Sequence, residues 1–235
     1  MPMLLRYEDA MAASRADFSK RPGFAAAIAG QLEPRRLHHL LIQFCALGFQ
    51  MTDKVEGWIR RAGERCQQLG YPELGKALIS HAHHEAGHEQ LFDQDTRALV
   101  ELWNQRWSPT LSAEALLQQP ATGGVRRYAE LHEEVIVSDT PYRQVAIEYE
   151  IEAVSVREGA KLVGAVLQQL GPDVLGRLSF VKEHLAVDEG HTKFNARQLG
   201  RLLDDHPDAL PHLIDAGRRA LDAYATFLDD CHRLV

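Results

Sequence analysis

Apolar residues recur at helical spacing along most of this chain, and proline and glycine divide it into segments. In the segment 34–70, which Gly70 and Pro72 close, eight apolar side chains follow the spacing of one helix face. They are Leu37, Leu40, Leu41, Phe44, Leu47, Val55, Trp58 and Ile59. Comparable helical segments cover 72–107, 125–138, 138–171, 172–205 and 211–235, and shorter ones cover 21–30 and 112–119. No stretch has the pattern of a strand. We therefore predict an all-α, single-domain bundle of seven to eight helices over residues 1–235, with a loose segment at 1–20.

Composition and charge exclude several classes of protein. The net charge of −7 disfavours a nucleic-acid-binding protein, which usually carries a basic face. Charged residues interrupt the longest apolar runs, so no membrane span is predicted. The first twenty residues lack the layout of a signal peptide, and a cytoplasmic location is expected. Three cysteines, Cys45, Cys66 and Cys231, are odd in number and far apart, which indicates reduced thiols rather than a disulfide framework.

Two triplets of equal spacing stand out among the twelve histidines. His81, Glu85 and His88 follow H-x3-E-x2-H. His184, Asp188 and His191 follow H-x3-D-x2-H. On a continuous helix, positions i, i+4 and i+7 fall within about 60° of arc, so each triplet would point three side chains the same way. Each also contains the acid-x2-His pair that di-metal helical bundles use.

The residue types in the triplets indicate which metals they suit. Imidazole and carboxylate together suit iron, manganese or zinc, and the absence of cysteine from both triplets favours iron or manganese. Two further histidines lie within the first triplet. We assign His83 to the surface, and His84 either to the surface or to a position beside the metal ligands.

Two metal ions need further carboxylates, and the segment 144–159 is the predicted source. Glu152 lies on an apolar stripe of this segment, and a buried carboxylate is costly unless it is paired or binds a metal. The stripe comprises Val145, Tyr149, Val156 and Val163. Glu148, one turn earlier, is the second choice. Glu150 and Glu158 are predicted to face solvent, and Tyr149 is either a residue of the site or a core tyrosine.

These residues resemble a known family. The features that carry the resemblance are Glu85 and His88, the run "HEQLF" that begins at His88, a later glutamate, and the His184 triplet. They are similar to those of the heme-oxygenase-like diiron oxidases and oxygenases, relatives of TenA and heme oxygenase. The resemblance spans roughly residues 35–200 and implies a TenA-like helical bundle that binds two irons per chain and no heme. Some members place a glutamate seven residues before the histidine that matches His88, where this chain has His81. Others place it three residues before that histidine, where this chain has Glu85. Glu85 is therefore the favoured ligand, and His81 is an extra ligand or supports one. The implied metal ligands are Glu85, His88, Glu152, His184, Asp188 and His191.

The resemblance also implies an activity. Such proteins activate O2 at a ferrous pair, and they N-oxygenate amines or cleave and desaturate amino acids and fatty acids. We accordingly expect an oxidoreductase of a small-molecule substrate in specialised metabolism, with O2 as co-substrate and, by analogy, a homodimer. Three alternatives stay open. They are a ferritin-like iron-binding bundle with glutamates such as Glu56 as bridges, a metal-free TenA-like hydrolase using a cysteine, and a structural helical domain.

Overall fold

Helices make up every regular element of the part of the chain that is described. The computed structural model describes residues 2–235, apart from the side chains of 185–189. Its α-helices are α1 (Met3–Phe18), α2 (Pro22–Ile28), α3 (Pro34–Thr52), α4 (Val55–Gln68), α5 (Pro72–Glu85), α6 (His88–Arg106), α7 (Ala113–Leu117), α8 (Gly123–Val137), α9 (Gln144–Leu170), α10 (Pro172–Leu175), α11 (Ser179–Asp205) and α12 (Leu210–Arg233). Single 3-10 turns, Pro141–Arg143 and Pro207–Ala209, precede α9 and α12. The all-α prediction is confirmed. Within the described residues, no helix is both long and apolar enough to cross a membrane.

The N-terminal segment is helical and packed, so the prediction of a loose segment at 1–20 is wrong. Helix α1 packs against α11 and α12. Its side chains Tyr7 and Met11 are completely buried in the hydrophobic core. Burying an apolar side chain of this size stabilises a fold by about 1.5–3 kcal/mol. The sequence periodicity did not predict this helix, because few of its positions are strongly apolar.

The chain divides into more helices than predicted, because α1 is helical, the segment 172–205 forms α10 and α11, and two longer predicted segments are each split. The segment 34–70 forms α3 and α4, which meet at Asp53 and Lys54. The segment 72–107 forms α5 and α6. Ala86 is extended and Gly87 has a φ of +91°, a left-handed conformation that glycine adopts without steric cost. This second break falls inside the first histidine triplet.

The two longest helices form the centre of the bundle. α9 and α11, each of 27 residues, lie side by side. α5 and α6 contact α11, α4 packs on α5, α3 packs on α6, and α12 packs on α8 and α9. One hydrophobic cluster extends through these contacts. The junction of α5 and α6 therefore faces the polar side chains of α9 and α11 across the core.

Candidate metal centre

The break between α5 and α6 positions three potential ligands. His81 and Glu85 lie one turn apart at the C-terminal end of α5, and His88 begins α6. A continuous helix would also have turned these side chains to one face, but the extended Ala86 and left-handed Gly87 redirect the chain. As a result His88 Nδ1 lies 2.8 Å from Glu85 Oε2.

Helices α9 and α11 supply the remaining polar groups. Glu152 Oε1 lies 3.0 Å from His81 Nε2, and Glu148 Oε2 lies 3.9 Å from the same nitrogen. From α11, His191 Nδ1 lies 3.3 Å from Glu85 Oε1. The His184 ring packs on the His88 ring at 4.7 Å between centroids. The structure thus brings the predicted residues together, while the side chain of Asp188, also predicted as a ligand, lies outside the described residues.

These groups form two adjoining clusters that could each hold a metal ion. One contains His81, Glu85, Glu152 and His191, and the other contains Glu85, His88 and His184. In each cluster one ligand atom per residue lies within 4.8 Å of all the others. Glu85 belongs to both, with Oε1 toward His191 and Oε2 toward His88. A carboxylate shared in this way has the position of a bridge between two ions, as in carboxylate-bridged di-metal bundles.

Unpaired buried atoms test whether these residues fit a cation. Among the described residues, His81 Nε2, Glu152 Oε1 and His191 Nδ1 are buried without a hydrogen-bond partner, although Glu152 Oε1 lies 3.0 Å from His81 Nε2 and 3.7 Å from His191 Nδ1. Their contacts do not have hydrogen-bonding directions. A buried polar group left unpaired costs about 1–3 kcal/mol. A cation in the space on which these atoms converge would offset that cost. The residues therefore fit a metal ion.

The carboxylates dominate the electrostatics of the first cluster. Burial acts to lower the pKa of His81, but Glu152, Glu148 and Glu85 outweigh it and raise that pKa to about 9. Burial acts to raise the pKa of Glu85, but His191 and His88 hold it well below its usual range. The Glu85 carboxylate in turn raises the pKa of His191. The cluster therefore presents an ionised carboxylate and imidazoles that attract protons, which are the properties of a cation-binding site.

His184 and Glu148 carry less charge than their residue types suggest. Burial lowers the pKa of His184 to about 4, so its ring is neutral at physiological pH. Its Nδ1 donates to the carbonyl oxygen of Phe180 at 2.9 Å, which leaves the Nε2 lone pair free to bind a metal. Burial raises the pKa of Glu148 to about 8, so this carboxyl carries a proton at neutral pH.

Two amides that sequence reasoning missed hold the carboxylates in place. Asn195 Nδ2 donates to Glu152 Oε2 at 2.8 Å, and Gln144 Nε2 donates to Glu148 Oε1 at 2.5 Å. Both amides are completely buried. Each lies four residues from a site residue on its own helix, Asn195 after His191 and Gln144 before Glu148. A search for polar residues one turn from the predicted ligands would have found them.

Removing the Asn195 amide should weaken metal binding without unfolding the chain. The Asn195→Ala variant leaves Glu152 Oε2 without its donor, so the carboxylate loses its fixed orientation. We expect roughly a tenfold weaker affinity for Fe(II), at the lower end of the effect of removing such supporting groups. Anaerobic titration against a competing chelator measures it. An affinity equal to that of the parent would show that Glu152 is oriented by packing alone.

Two predictions for α9 are wrong, those that placed Glu150 and Glu158 in solvent, and Tyr149 packs against the core as one of its two alternatives had it. Glu150 is completely buried and accepts hydrogen bonds from Tyr7 and Arg15 of α1. Glu158 is also buried and accepts from Ser19 at 2.8 Å. Tyr149 donates to Glu8 at 2.7 Å, toward α1 rather than toward the metal clusters. The predicted apolar stripe was misread because α9 is covered on more than one side, and its carboxylates are divided between the metal centre and α1.

The metal centre forms one wall of an apolar pocket. The lining of this pocket includes four potential ligands, Glu85, His88, Glu152 and His184. It also includes Phe44, Phe92, Tyr128, Ile151, Phe180 and Phe227. A second apolar pocket adjoins the first. Both are lined by Phe44, Ser155, Phe180, His184 and Tyr224. The two clusters of potential ligands therefore face a space that can exclude water and receive an apolar molecule.

Comparison with solved structures identifies the architecture. A domain of unknown function with a heme oxygenase-like fold from Shewanella denitrificans matches with a TM-score of 0.76 and 15% identity, over 97% of this chain and 90% of that one. The chain has a heme-oxygenase-like fold. A TenA homolog from Pseudomonas syringae pv. tomato matches with a TM-score of 0.72 and 12% identity, over 97% of this chain and 92% of that one. No family model matches the sequence, and no curated protein does. The heme-oxygenase-like fold predicted from the sequence is thus confirmed.

Proposed function

We propose that this protein is a non-heme diiron oxidase or oxygenase that uses O2 to oxidise a small molecule. The observation that carries the proposal is the pair of adjoining histidine–carboxylate clusters that share Glu85. Mixed nitrogen and oxygen ligands without sulfur suit iron. A heme-oxygenase-like bundle that buries such clusters beside an apolar pocket has both parts that an oxygenase needs.

Different residues would hold each of the two ions. His81, Glu152 and His191 would hold one ion, His88 and His184 the other, and Glu85 would bridge them. Asp188, predicted from its triplet, would add a further carboxylate. Iron bound there would supply the electrons that reduce O2 and the oxidising equivalents for the substrate. Asn195 and Gln144 keep Glu152 and Glu148 oriented.

The pocket limits what the substrate can be. Aromatic side chains such as Phe44, Phe92 and Phe180 cover the space beside the ligands and exclude water from it. Amines, amino acids and fatty acids are the candidate classes, and the apolar walls favour a substrate with an apolar part. The Glu148 carboxyl also lines this pocket.

Metal analysis combined with an O2 assay tests the proposal. Protein reconstituted anaerobically with Fe(II) should bind up to two irons per chain, measured by elemental analysis after desalting. Addition of a true substrate from a panel of amines, amino acids and fatty acids should increase O2 consumption. No iron above background after reconstitution would refute the proposal.

A ferritin-like iron store is the first alternative, and His184 separates it from the proposal. Such a bundle would not need His184 as a ligand and would use bridging glutamates such as Glu56. Glu56 instead pairs with Arg60 at the surface, 3.2 Å away. We expect His184→Ala to keep its helical circular dichroism, to bind less iron than the parent, and to lose the rapid absorbance change when the ferrous protein meets O2. A variant that loads two irons and reacts as the parent does would favour iron storage.

A metal-free hydrolase of the TenA type is the second alternative, since a TenA homolog shares the fold. It would need a reactive thiolate. All three cysteines are completely buried, and burial raises the pKa of the Cys66 thiol to about 12 and those of Cys45 and Cys231 well above their usual value. Such thiols are poor nucleophiles. The hydrolase alternative also leaves the convergent histidines unexplained.

Assembly and location stay predictions within this proposal. We propose a homodimer, which light scattering after size-exclusion chromatography would test. We also propose a cytoplasmic location, which cell fractionation would test.

A further inference from the structure

An open groove, distinct from the apolar pocket, also reaches the metal centre. It runs between the end of α5 and α11, and its lining includes four imidazoles, those of His81, His84, His88 and His191. The lining is completed by Glu183, Gly190 and Phe194. The side chains of His88 and His191 are 16% and 19% exposed, against 9% for Glu152. The metal centre is thus partly open to solvent on this side.

His84 lies at the mouth of this groove but belongs to neither ligand cluster. It is exposed, and it lies on α5 three residues after His81 and next to Glu85. Residues i and i+3 lie on one side of a helix, so His84 borders the same side as His81. Its ring lies 5.9 Å from that of His191 and is nearly parallel to it, with an interplanar angle of 13°. Glu183, an exposed carboxylate, lines the groove with it.

The groove offers a hydrated metal ion a polar route to the centre. The apolar pocket, in contrast, is lined by Phe44, Phe92 and Phe180. Moving a hydrated dication through an apolar passage is costly, because the ion loses water without gaining ligands. In the groove, each water that leaves the ion can be replaced by an imidazole or carboxylate.

We propose that His84 and Glu183 form a transient capture site for ferrous ion at the mouth of this groove. Glu183 attracts the hydrated cation, and the His84 imidazole displaces one of its waters. The ion then exchanges His84 for the neighbouring His191 and enters the cluster of His81, Glu85 and Glu152. No electron is transferred, and the released ligands are water and the His84 nitrogen. The proposal rests on the metal binding assigned under the proposed function.

The rate of iron loading tests the capture site, and His83 provides a matched control. His83 is the neighbouring exposed histidine on α5 and does not line the groove. Anaerobic apoprotein is mixed with Fe(II), and unbound iron is followed over time with a colorimetric chelator. We expect His84→Ala to reach the parent's final iron content about tenfold more slowly, comparable to the smaller effects of removing groups next to metal ligands. His83→Ala should load at the parent's rate.

A second variant tests the electrostatic attraction of the cation by Glu183. Glu183→Gln removes the charge while keeping the shape, so it should load more slowly than the parent at low salt and equally fast at high salt, where attraction is screened. Circular dichroism confirms that each variant is folded. Loading of His84→Ala at the parent's rate would overturn the capture site and leave the proposed function intact. A lower final iron content in His84→Ala would overturn transient capture by making His84 a permanent ligand. A parent protein that binds no iron would overturn both proposals.

Discussion

Glu85→Ala should empty both halves of the metal centre while leaving the bundle folded. Among the residues whose side chains are described, Glu85 is the one common to the two clusters, and its two oxygens face His191 and His88. Its removal therefore takes a ligand from each ion and also the negative charge between them. We expect the iron content after reconstitution to fall from two per chain to less than one. Affinity should fall by more than about 100-fold, beyond the range for residues that only support ligands.

The measurement is iron quantification beside circular dichroism on the parent and two variants. Glu73→Ala is the matched control, because Glu73 is an exposed glutamate in the first turn of the same helix. It should bind iron as the parent does. A Glu85→Ala variant with the parent's iron content would mean that each ion is held without a shared carboxylate, and the diiron proposal would lose its central observation.

Glu150→Ala should cause the largest loss of stability among the α9 variants. The Glu150 carboxylate is completely buried and binds Arg15 through two contacts of 2.6 and 2.9 Å and the Tyr7 hydroxyl at 3.0 Å. Breaking a buried ion pair costs about 3–5 kcal/mol, and because Glu8 still pairs with Arg15 we expect the lower end, about 3 kcal/mol. At roughly 2–4 °C per kcal/mol for a chain of this size, we expect the melting temperature to fall by about 6–12 °C.

A surface ion pair provides the comparison for this variant. Glu64 pairs with Arg60 at 3.0 Å, and both side chains are largely exposed. Glu64→Ala should change stability by less than about 1 kcal/mol. Because Glu150 faces α1, the folded Glu150→Ala protein should still bind iron at low temperature as the parent does, whereas Glu152→Ala should weaken or lose one of the two ions. Equal melting temperatures for Glu150→Ala and Glu64→Ala would contradict the buried ion pair.

The local sequence pattern predicted which segments are helical, but it did not predict where the helices break. The spacing of Leu37, Leu40, Leu41 and their neighbours reports one buried face, and the structure confirms a helix there. Gly87 within a similar pattern costs a helix only about 1 kcal/mol, so periodicity alone cannot decide whether the helix continues. The left-handed conformation of Gly87 is decided by the packing of α5 and α6 against α11.

The carboxylates of α9 show why the rest of the site was not predictable. A rule that assigns one buried and one solvated face to a helix fails for α9, which is covered on more than one side. Glu148 and Glu152 face the metal centre, whereas Glu150 and Glu158 face the N-terminal helix region and are paired there. The sequence identified Glu152 but could not distinguish a metal-facing acid from one that pairs with Arg15, which is 135 residues away in sequence.

The sequence by itself determined the helical class of this protein and placed histidines and acids at one-turn spacing on two helices. That spacing follows from backbone hydrogen bonds within a helix, which involve only neighbouring residues. Only the tertiary structure decided that Glu85 lies in both clusters, that Asn195 holds Glu152, and that the first triplet is split between two helices. These features depend on which helix faces are brought together across the core. That arrangement is determined by the packing of helices that lie far apart in the chain.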